Sequence, residues 1–272
     1  MITTAEKRTK FRALHQSGCF VLPNPWDVGS ARMMQHLGFS AIATTSTGFA
    51  WTIGHPDYSI SVDDVLEHLI ALCEKTDLPV NADFESGFAR DPEHLVANVD
   101  LVIDTGVAGF SIEDRNVDSL DTLYEKSLAA ERIRAAREAI DHAGEDVILV
   151  GRTERLLIHP DAVSQAIDTL VALAEAGADC LYAPGVGKKE DIAAMVKAVS
   201  PKPLNVLVMG PQFTVPELAD LGVRRISVGG ALALVGWRAI LDAAKALQTG
   251  VFDGLQPSMS GAELNKVFGS FR

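Results

Sequence analysis

The sequence has few cysteines and none of the features of an exported or membrane-spanning chain. Its three cysteines are odd in number, widely spaced and set in apolar sequence: Cys19, Cys73 and Cys180. This pattern supports neither a disulfide framework nor a cysteine zinc site. The first residues, MITTAEKRTKFRALHQSG, lack the apolar core of a signal peptide, and no apolar run is long enough to cross a bilayer. We therefore predict a cytoplasmic protein with no membrane partner.

Basic residues are in the minority. The chain has 24 Lys and Arg against 36 Asp and Glu, which gives a formal net charge of −12, and the acids are scattered without forming a block. A chain of this charge repels phosphate backbones, so we predict no nucleic-acid partner. An acidic protein that binds an anionic metabolite needs a local positive charge, which a metal ion or a buried arginine can supply.

Short apolar runs rich in β-branched residues alternate eight times with segments of helical period. Each run is continuous, as the strands of a parallel sheet covered by helices require. We predict a single (β/α)₈ TIM barrel over residues 1–247, followed by a helical tail over residues 248–272. The predicted strands are 19–22, 41–45, 79–83, 109–113, 147–152, 179–183, 203–208 and 225–229.

The helical pattern is clearest in five intervening segments and in the tail. Ser61 and Asp91 are predicted N-caps, and Ser260 with Glu263 forms a predicted capping box for a tail helix. The apolar face of that helix either closes the barrel's own surface or docks on a neighbouring subunit. A doubly wound open sheet is the alternative fold, but PNPWDVGSAR after the first strand is no dinucleotide-binding glycine motif. The predicted helices are 61–76, 92–105, 120–142, 161–176 and 188–199.

Three acids follow neighbouring strands at the predicted mouth of the barrel, where the carboxyl ends of all strands meet. They are Asp83, Glu85 and Glu113, and no lysine stands at these strand ends to neutralise them. Each acid alone could be a helix cap or a salt-bridge partner. Together they would repel one another without a cation, and oxygen ligands favour Mg²⁺, or Mn²⁺ as a substitute, over zinc. We predict direct ligation by Asp83, with the two glutamates reached through water.

An arginine and a small-residue segment are predicted to hold an organic anion. Arg152 ends the apolar run VILVGR, so its partner is either Glu154 or a substrate carboxylate, which the guanidinium fits in a bidentate manner. The segment TTSTGFAW places N–H groups where they can face a ligand. Trp26 either packs in the core or forms a wall of the site. The predicted substrate-binding residues are Trp26, Ser46, Thr47, Gly48, Arg152 and Asn205.

Over nearly its whole length the chain resembles the isocitrate lyase and phosphoenolpyruvate mutase superfamily. NADFESGFA resembles the D-x-D-x-G-x-G metal loop, with Asp83 and Glu85 at its acids and Ala89 in place of the last glycine, and SIEDR places Glu113 at a further metal-shell acid. TTSTGFA resembles the substrate-carboxylate loop. GHPD resembles the G-x-P-D turn that ends here in Asp57, and GRTE resembles the segment whose arginine, here Arg152, binds the substrate carboxylate.

The resemblance implies catalytic roles for Asp57, Glu113 and Arg152, and an active-site position for Asn205 in NVLV. It also implies a homo-oligomer, a dimer or a tetramer, built by exchange of C-terminal helices. The chain departs from the family after the fourth strand, where EDRNVDSLDTLYEKSLAAERIRAA contains neither the K-[KR]-C-G-H loop of the lyases nor the K-x-N loop of the phosphonomutases. The chain is thus identified as a short-loop member.

These residues predict an Mg²⁺-dependent carbon–carbon lyase acting on a small 2-oxo carboxylic acid through an enolate. In that chemistry the cation stabilises the negative charge that develops on the 2-oxo oxygen. No dedicated base stands out in the sequence, which favours decarboxylation of oxaloacetate over aldol-type cleavage. Two alternatives remain open: a phosphonomutase-type enzyme acting on a P–C bond, and a non-catalytic paralogue that binds 2-oxo acids.

Overall fold

Eight parallel strands form the centre of the protein in a computed structural model that describes residues 2–255 and 259–271. The strand order, β1-β8-β7-β6-β5-β4-β3-β2, is that of a nearly closed (β/α)₈ barrel. A hydrogen bond of 3.0 Å from the Ala43 N–H to the Pro23 carbonyl joins the first strand to the second. The strands are β1 Phe20–Leu22, β2 Ile42–Ala43, β3 Val80–Asp83, β4 Gly109–Glu113, β5 Ile148–Arg152, β6 Cys180–Tyr182, β7 Leu204–Leu207 and β8 Arg225–Ser227.

Helices surround these strands and cover the apolar residues on their outer faces. Ser61, Asp91 and Ser260 cap helices as predicted, because each side-chain oxygen accepts a bond from the backbone N–H of the third residue of its helix. The α-helices are α1 Thr4–Leu14, α2 Val28–His36, α3 Ser46–Thr52, α4 Val62–Lys75, α5 Pro92–Asp104, α6 Lys126–Ala143, α7 Arg155–Ile158, α8 Val163–Glu175, α9 Lys189–Val199, α10 Val215–Asp220, α11 Ala231–Gln248 and α12 Gly261–Gly269, with a 3₁₀ turn at Asp253–Leu255.

Two sequence predictions were wrong in detail. The helix predicted over 120–142 begins only at Lys126, because residues 120–125 form a turn that bonds back to the end of β4, with the Tyr124 N–H donating to the Asp114 carbonyl at 2.8 Å. The segment after β2, predicted as a loop, is helix α3. Thr45 caps it by accepting a 3.2 Å bond from the Gly48 N–H.

Helix α1, which the sequence analysis did not predict, covers the end of the barrel opposite the mouth. Its Phe11 is fully buried among residues of the barrel interior. A Cβ added to Gly109, the first residue of β4, would lie 2.8 Å from Phe11 Cε1 and 2.9 Å from the Ile148 carbonyl oxygen. Because glycine has no Cβ, position 109 leaves room for Phe11 of α1 to pack against the start of β4. Lys7 fixes the same helix by donating 2.6 Å bonds to the carbonyls of Cys73 and Thr76.

The two C-terminal helices differ in how much of their surface the rest of the chain buries. Helix α12 lies against α2, where the Arg32 guanidinium is 5.2 Å from the centre of the Phe271 ring. In contrast, Ala233 is the one buried residue of the 18-residue helix α11, and Val235 and Ile240 are 69% and 59% exposed. No helix in the described ranges is both long and apolar enough to cross a membrane.

Candidate active site

Asp83, the last residue of β3, accepts hydrogen bonds from both Arg152 and Ser46. Asp83 Oδ1 accepts a 2.9 Å bond from Arg152 Nη1, and Asp83 Oδ2 accepts two 3.0 Å bonds from the N–H and hydroxyl of Ser46. Because Ser46 is the first residue of α3, the positive end of that helix faces the carboxylate. The N–H groups of Ser46 and Gly48, predicted to hold substrate, therefore already have acceptors within the chain.

Glu85 follows Asp83 in a tight turn. Its backbone has a φ of 46°, and its carbonyl accepts a 2.9 Å bond from the Glu113 N–H. The Glu85 side chain is buried, and its Oε1 atom has no hydrogen-bond partner among the described residues. Burial, together with the negative charges of Asp83 and Asp57, raises the pKa of Glu85 to about 8.

Asp57 faces the same cavity from the turn after α3. Burial raises the pKa of Asp57, and the charge of Asp83 raises it further, while the Thr47 hydroxyl and Arg152 lower it. Asp57, Asp83 and Glu85 therefore form one acidic corner, in which the charge of Asp83 raises the pKa of the two other acids. The sequence assigned Asp57 to the site only through the GHPD resemblance.

Arg152 lies between acids from three strand ends. Besides Asp83, its Nε donates to Glu154 Oε1 at 2.6 Å and lies 3.2 Å from Glu113 Oε2. Arg115 completes the network through a 3.0 Å bond from its Nη2 to Glu154 Oε2. Burial opposes the charge on Arg152, but the surrounding acids raise its pKa well above the ordinary value, so it stays charged. Of the two partners predicted for Arg152, Glu154 is therefore the one that contacts it in the structure, together with Asp83 and Glu113.

Glu113 is a buried acid of the same network. Its Oε1 accepts a 2.8 Å bond from the hydroxyl of Tyr58, and the residue is 2% exposed. Burial raises the pKa of Glu113 despite the nearby Arg152, since that arginine is shared with Glu154 and Asp83. The space between Asp83 and Glu113 is occupied by the Arg152 side chain.

The donor set of the acidic corner fits a hard divalent cation held partly through water. All donors are carboxylate oxygens, and Glu85 Oε1 is a buried acceptor that has no hydrogen-bond partner among the described residues. Within the described chain, no three or more His, Cys, Asp or Glu side chains converge closely enough to enclose an ion by themselves. Ligation by Asp83, Glu85 and Glu113 thus remains a prediction, and Asp57, unlike Glu113, is one of the acids whose charge raises the pKa of Glu85.

A cavity of about 250 Å³ opens at the mouth, next to the acidic corner. Five predicted site residues line it: Ser46, Thr47, Asp57, Asp83 and Arg152. Four others lie outside its lining: Trp26, which packs against Gly48 and Gly236, and Gly48, Glu85 and Glu113. Asn205 lies beneath the floor and donates a 2.9 Å bond to the Ser227 hydroxyl.

Tyr58, Arg115 and Arg225 are among the residues of the site that were not predicted from the sequence. Arg225 begins β8, and Arg152 was found because an arginine in an apolar strand needs a partner. The same signal in GVRRISVG could have identified Arg225. Tyr58 directly follows Asp57, and Arg115 lies two residues after Glu113, but nothing in their spacing indicates that they meet. In the fold the Arg115 guanidinium lies 5.1 Å from the centre of the Tyr58 ring.

Comparison with known proteins defines the family. The model of the phosphoenolpyruvate phosphomutase family matches residues 11–248. The chain belongs to the phosphoenolpyruvate phosphomutase family. This confirms the resemblance to the isocitrate lyase and phosphoenolpyruvate mutase superfamily, whose solved members include lyases and mutases. The protein is accordingly an enzyme of that superfamily, and the carbon–carbon lyase class fits it.

Three relatives illustrate the range of this phosphomutase family. A crystal structure of a Burkholderia cenocepacia protein provisionally described as a lyase/mutase has a TM-score of 0.94 and 39% identity, covering 98% of this chain and 97% of that one. Oxaloacetate acetylhydrolase in complex with the product oxalate has a TM-score of 0.88 and 26% identity, covering 98% and 95%. Oxaloacetate decarboxylase of Paraburkholderia xenovorans is 23% identical over 272 residues, which is 96% of this chain and 88% of that protein.

Proposed function

We propose that this phosphomutase-family protein is an Mg²⁺-dependent lyase that cleaves the carbon–carbon bond one carbon beyond the carbonyl of a small 2-oxo acid, with decarboxylation of oxaloacetate as its reaction. The observation that carries the proposal is the acidic corner, where Glu85 Oε1 is buried beside Asp83 and Asp57 without a hydrogen-bond partner among the described residues. Arg152 pairs with one of these three carboxylates, and a divalent ion would offset the repulsion that remains among them. Two relatives act on oxaloacetate by name.

Asp83, Glu85 and Asp57 would hold the ion, with Glu113 behind Arg152. When bound, Mg²⁺ supplies positive charge that stabilises the electrons released as the bond breaks. Arg152 orients the substrate carboxylate at the mouth while its acidic partners keep the guanidinium fixed. Tyr58 keeps its proton, because burial and the charge of Glu113 raise its pKa, so it remains a donor to that acid. Loss of CO₂ requires no base, which agrees with the residues present.

Pyruvate release from oxaloacetate tests the proposal. We expect turnover with Mg²⁺, loss of turnover in EDTA, and at least a hundredfold reduction in Asp83→Ala, because that variant removes the acid that faces the cavity (roughly 3 kcal/mol). Asp100→Ala, an exposed acid on α5, is the matched control and should keep full activity. Turnover that is equal with and without EDTA would contradict the proposal.

A phosphonomutase-type reaction is the second candidate, and the description of the matching family favours it. Phosphorus NMR of a phosphonopyruvate incubation decides between the two, since a P–C bond enzyme changes the phosphorus signal and a decarboxylase does not. The third candidate is a binder without turnover. Calorimetry that detects metal-dependent 2-oxo acid binding without any product would support it.

We also propose that the protein is a cytoplasmic homo-oligomer, a dimer or a tetramer, joined through its C-terminal helices. The exposed apolar residues of α11, among them Val235 and Ile240, support a subunit contact at that helix. The three free cysteines support a reducing compartment. The boundary at residue 247 between barrel and tail stays a prediction.

A further inference from the structure

Arg225 is a buried cation at the floor of the cavity, and its hydrogen-bond partners are neutral. It is 3% exposed and lines the cavity from the first position of β8. Its Nε donates to Asn205 Oδ1 at 3.0 Å, and its Nη1 donates to Asn81 Oδ1 at 3.2 Å. Those two amides hold the guanidinium in place and leave Nη2 outside both bonds.

Arg225 differs in this respect from Arg152, the other arginine of the barrel interior that lines the cavity. Arg152 is surrounded by three carboxylates, whereas Arg225 forms no ion pair with any acid in the described ranges. Burying a charge without a counter-charge is costly, and amide dipoles offset only part of that cost. An anion that entered the cavity would supply the missing negative charge.

Among the described residues, the surroundings of Arg225 contain no other source for that charge. His15, the residue that follows α1, lies on the closed side of the barrel, and burial and then Arg225 itself lower the pKa of His15 to about 3, so it is neutral. Cys180 and Tyr182 are also near, and burial raises the pKa of each, so both keep their protons at neutral pH. Asp83 is the acid whose charge reaches Arg225, but its oxygens already accept bonds from Arg152 and Ser46.

We propose that Arg225 binds the far carboxylate of the substrate, so that the site selects a short dicarboxylate over a monocarboxylate of the same length. This proposal rests on the proposed function, in which the acidic corner and Arg152 take the 2-oxo acid end of the molecule. The second carboxylate then reaches the floor of the same 250 Å³ cavity. Arg225 pairs with that carboxylate through a charge-assisted hydrogen bond in the substrate complex, and in oxaloacetate the pairing ends when the same carboxylate leaves as CO₂.

Malate and 2-hydroxybutyrate provide a stable test, because they share one length and differ in whether a carboxylate or a methyl group ends the chain. Isothermal titration calorimetry of each with the Mg²⁺-loaded protein should give a dissociation constant about 10- to 100-fold lower for malate (the range of a hydrogen bond to a charged group). Arg225→Met should abolish this difference by weakening malate alone. Arg8→Met removes another buried arginine, which does not line the cavity, and should preserve the difference.

Asn205→Asp tests the same idea with an almost unchanged shape. It places a carboxylate at the 3.0 Å contact with Arg225 Nε, so the arginine gains an internal partner and the preference for malate should fall as in Arg225→Met. This variant carries the test if Arg225→Met fails to fold by circular dichroism. A preference for malate that survives in a folded variant of either kind would overturn the proposal, as would equal binding of both ligands by the wild type.

The oxaloacetate assay separates this proposal from the proposed function. A malate preference that depends on Arg225, in a protein that does not turn over oxaloacetate, would leave the carboxylate subsite standing and remove the decarboxylase. Turnover of oxaloacetate with a malate preference independent of Arg225 would do the reverse.

Discussion

The hydroxyl of Tyr58 donates a 2.8 Å hydrogen bond to Oε1 of Glu113, and this bond ties the turn after α3 to the end of β4. Tyr58 has a φ of 59°, which is unusual for a residue with a large side chain. The turn that carries Asp57 is therefore positioned by its neighbour's contact with a buried acid. Asp57, a candidate for catalysis, depends on that contact for its place at the cavity.

Tyr58→Phe should lower kcat/KM for oxaloacetate about tenfold while the fold is retained. The variant leaves Glu113 without one hydrogen bond and releases the Asp57 turn, a loss on the order of 1–2 kcal/mol. Steady-state kinetics and circular dichroism measure the two effects. Tyr124→Phe is the matched control, because Tyr124 also lies under an arginine, with Arg132 at 4.7 Å from its ring, but does not line the cavity. Equal losses in both variants would contradict a role specific to Tyr58.

The raised pKa of Glu85 predicts how the stability of the metal-free protein changes with pH. Its pKa is raised to about 8 in the fold from 4.5, so the folded state binds its proton more tightly than the unfolded state does. The stability that the Glu85 proton contributes to the fold is fully present below pH 4.5 and is lost as the pH rises through about 8. In EDTA, Tm should therefore fall between pH 6 and pH 9, by about 2–4 °C for each kcal/mol lost.

The variant Glu85→Gln should flatten that decline, since the amide does not ionise. Added Mg²⁺ should raise the Tm of the wild type most at the alkaline end, where Glu85 is charged. Differential scanning fluorimetry across the pH series measures both effects. A wild-type Tm that rises steadily from pH 6 to pH 9 in EDTA would show that the acid is not buried as described.

Gly109→Ala should destabilise the protein by roughly 1–3 kcal/mol, the usual cost of overpacking a core. The added methyl group would lie 2.8 Å from Phe11 Cε1 and 2.9 Å from the Ile148 carbonyl, so helix α1 would have to move. Urea unfolding measures the loss. Gly261→Ala is the control, since a Cβ there meets nothing within 4 Å. An unchanged urea midpoint for Gly109→Ala would show that helix α1 shifts to accommodate the methyl group without a loss of stability.

Removing the residues after 256 tests the tail as a subunit contact. The truncated chain loses α12 but keeps the exposed face of α11, so light scattering assigns the contact to one of the two helices. A smaller number of subunits in the truncated protein than in the full-length protein would locate the subunit contact in the tail, as predicted. An unchanged oligomer excludes the tail, and Ile240→Lys on α11 would then be expected to dissociate it.

The barrel was predictable because its strands are continuous apolar runs, and strand β4 was predicted to the residue. The turn at residues 120–125 was not, since Leu120 and Leu123 fit a helical period while the bonds that oppose it come from Asp114 and Asn116. The acids at the mouth were found from their positions at strand ends. The pairing of Arg152 with Glu154 was one of two predicted alternatives and is present in the structure. Its contacts with Asp83 and Glu113 were not predicted, and nothing in the sequence distinguishes Arg152 from Arg225, which forms no ion pair within the described residues.

Helix α1 precedes in the chain every residue that it contacts across the closed end of the barrel. These contacts include the Arg12 pair with Asp179 and the Arg8 bond to the Val107 carbonyl. During translation α1 is therefore expected to lack part of its partners until residues as far along as Asp179 have been made. Because the strands beneath it are complete only when β8 pairs with β1, α1 is expected to be among the last helices to dock.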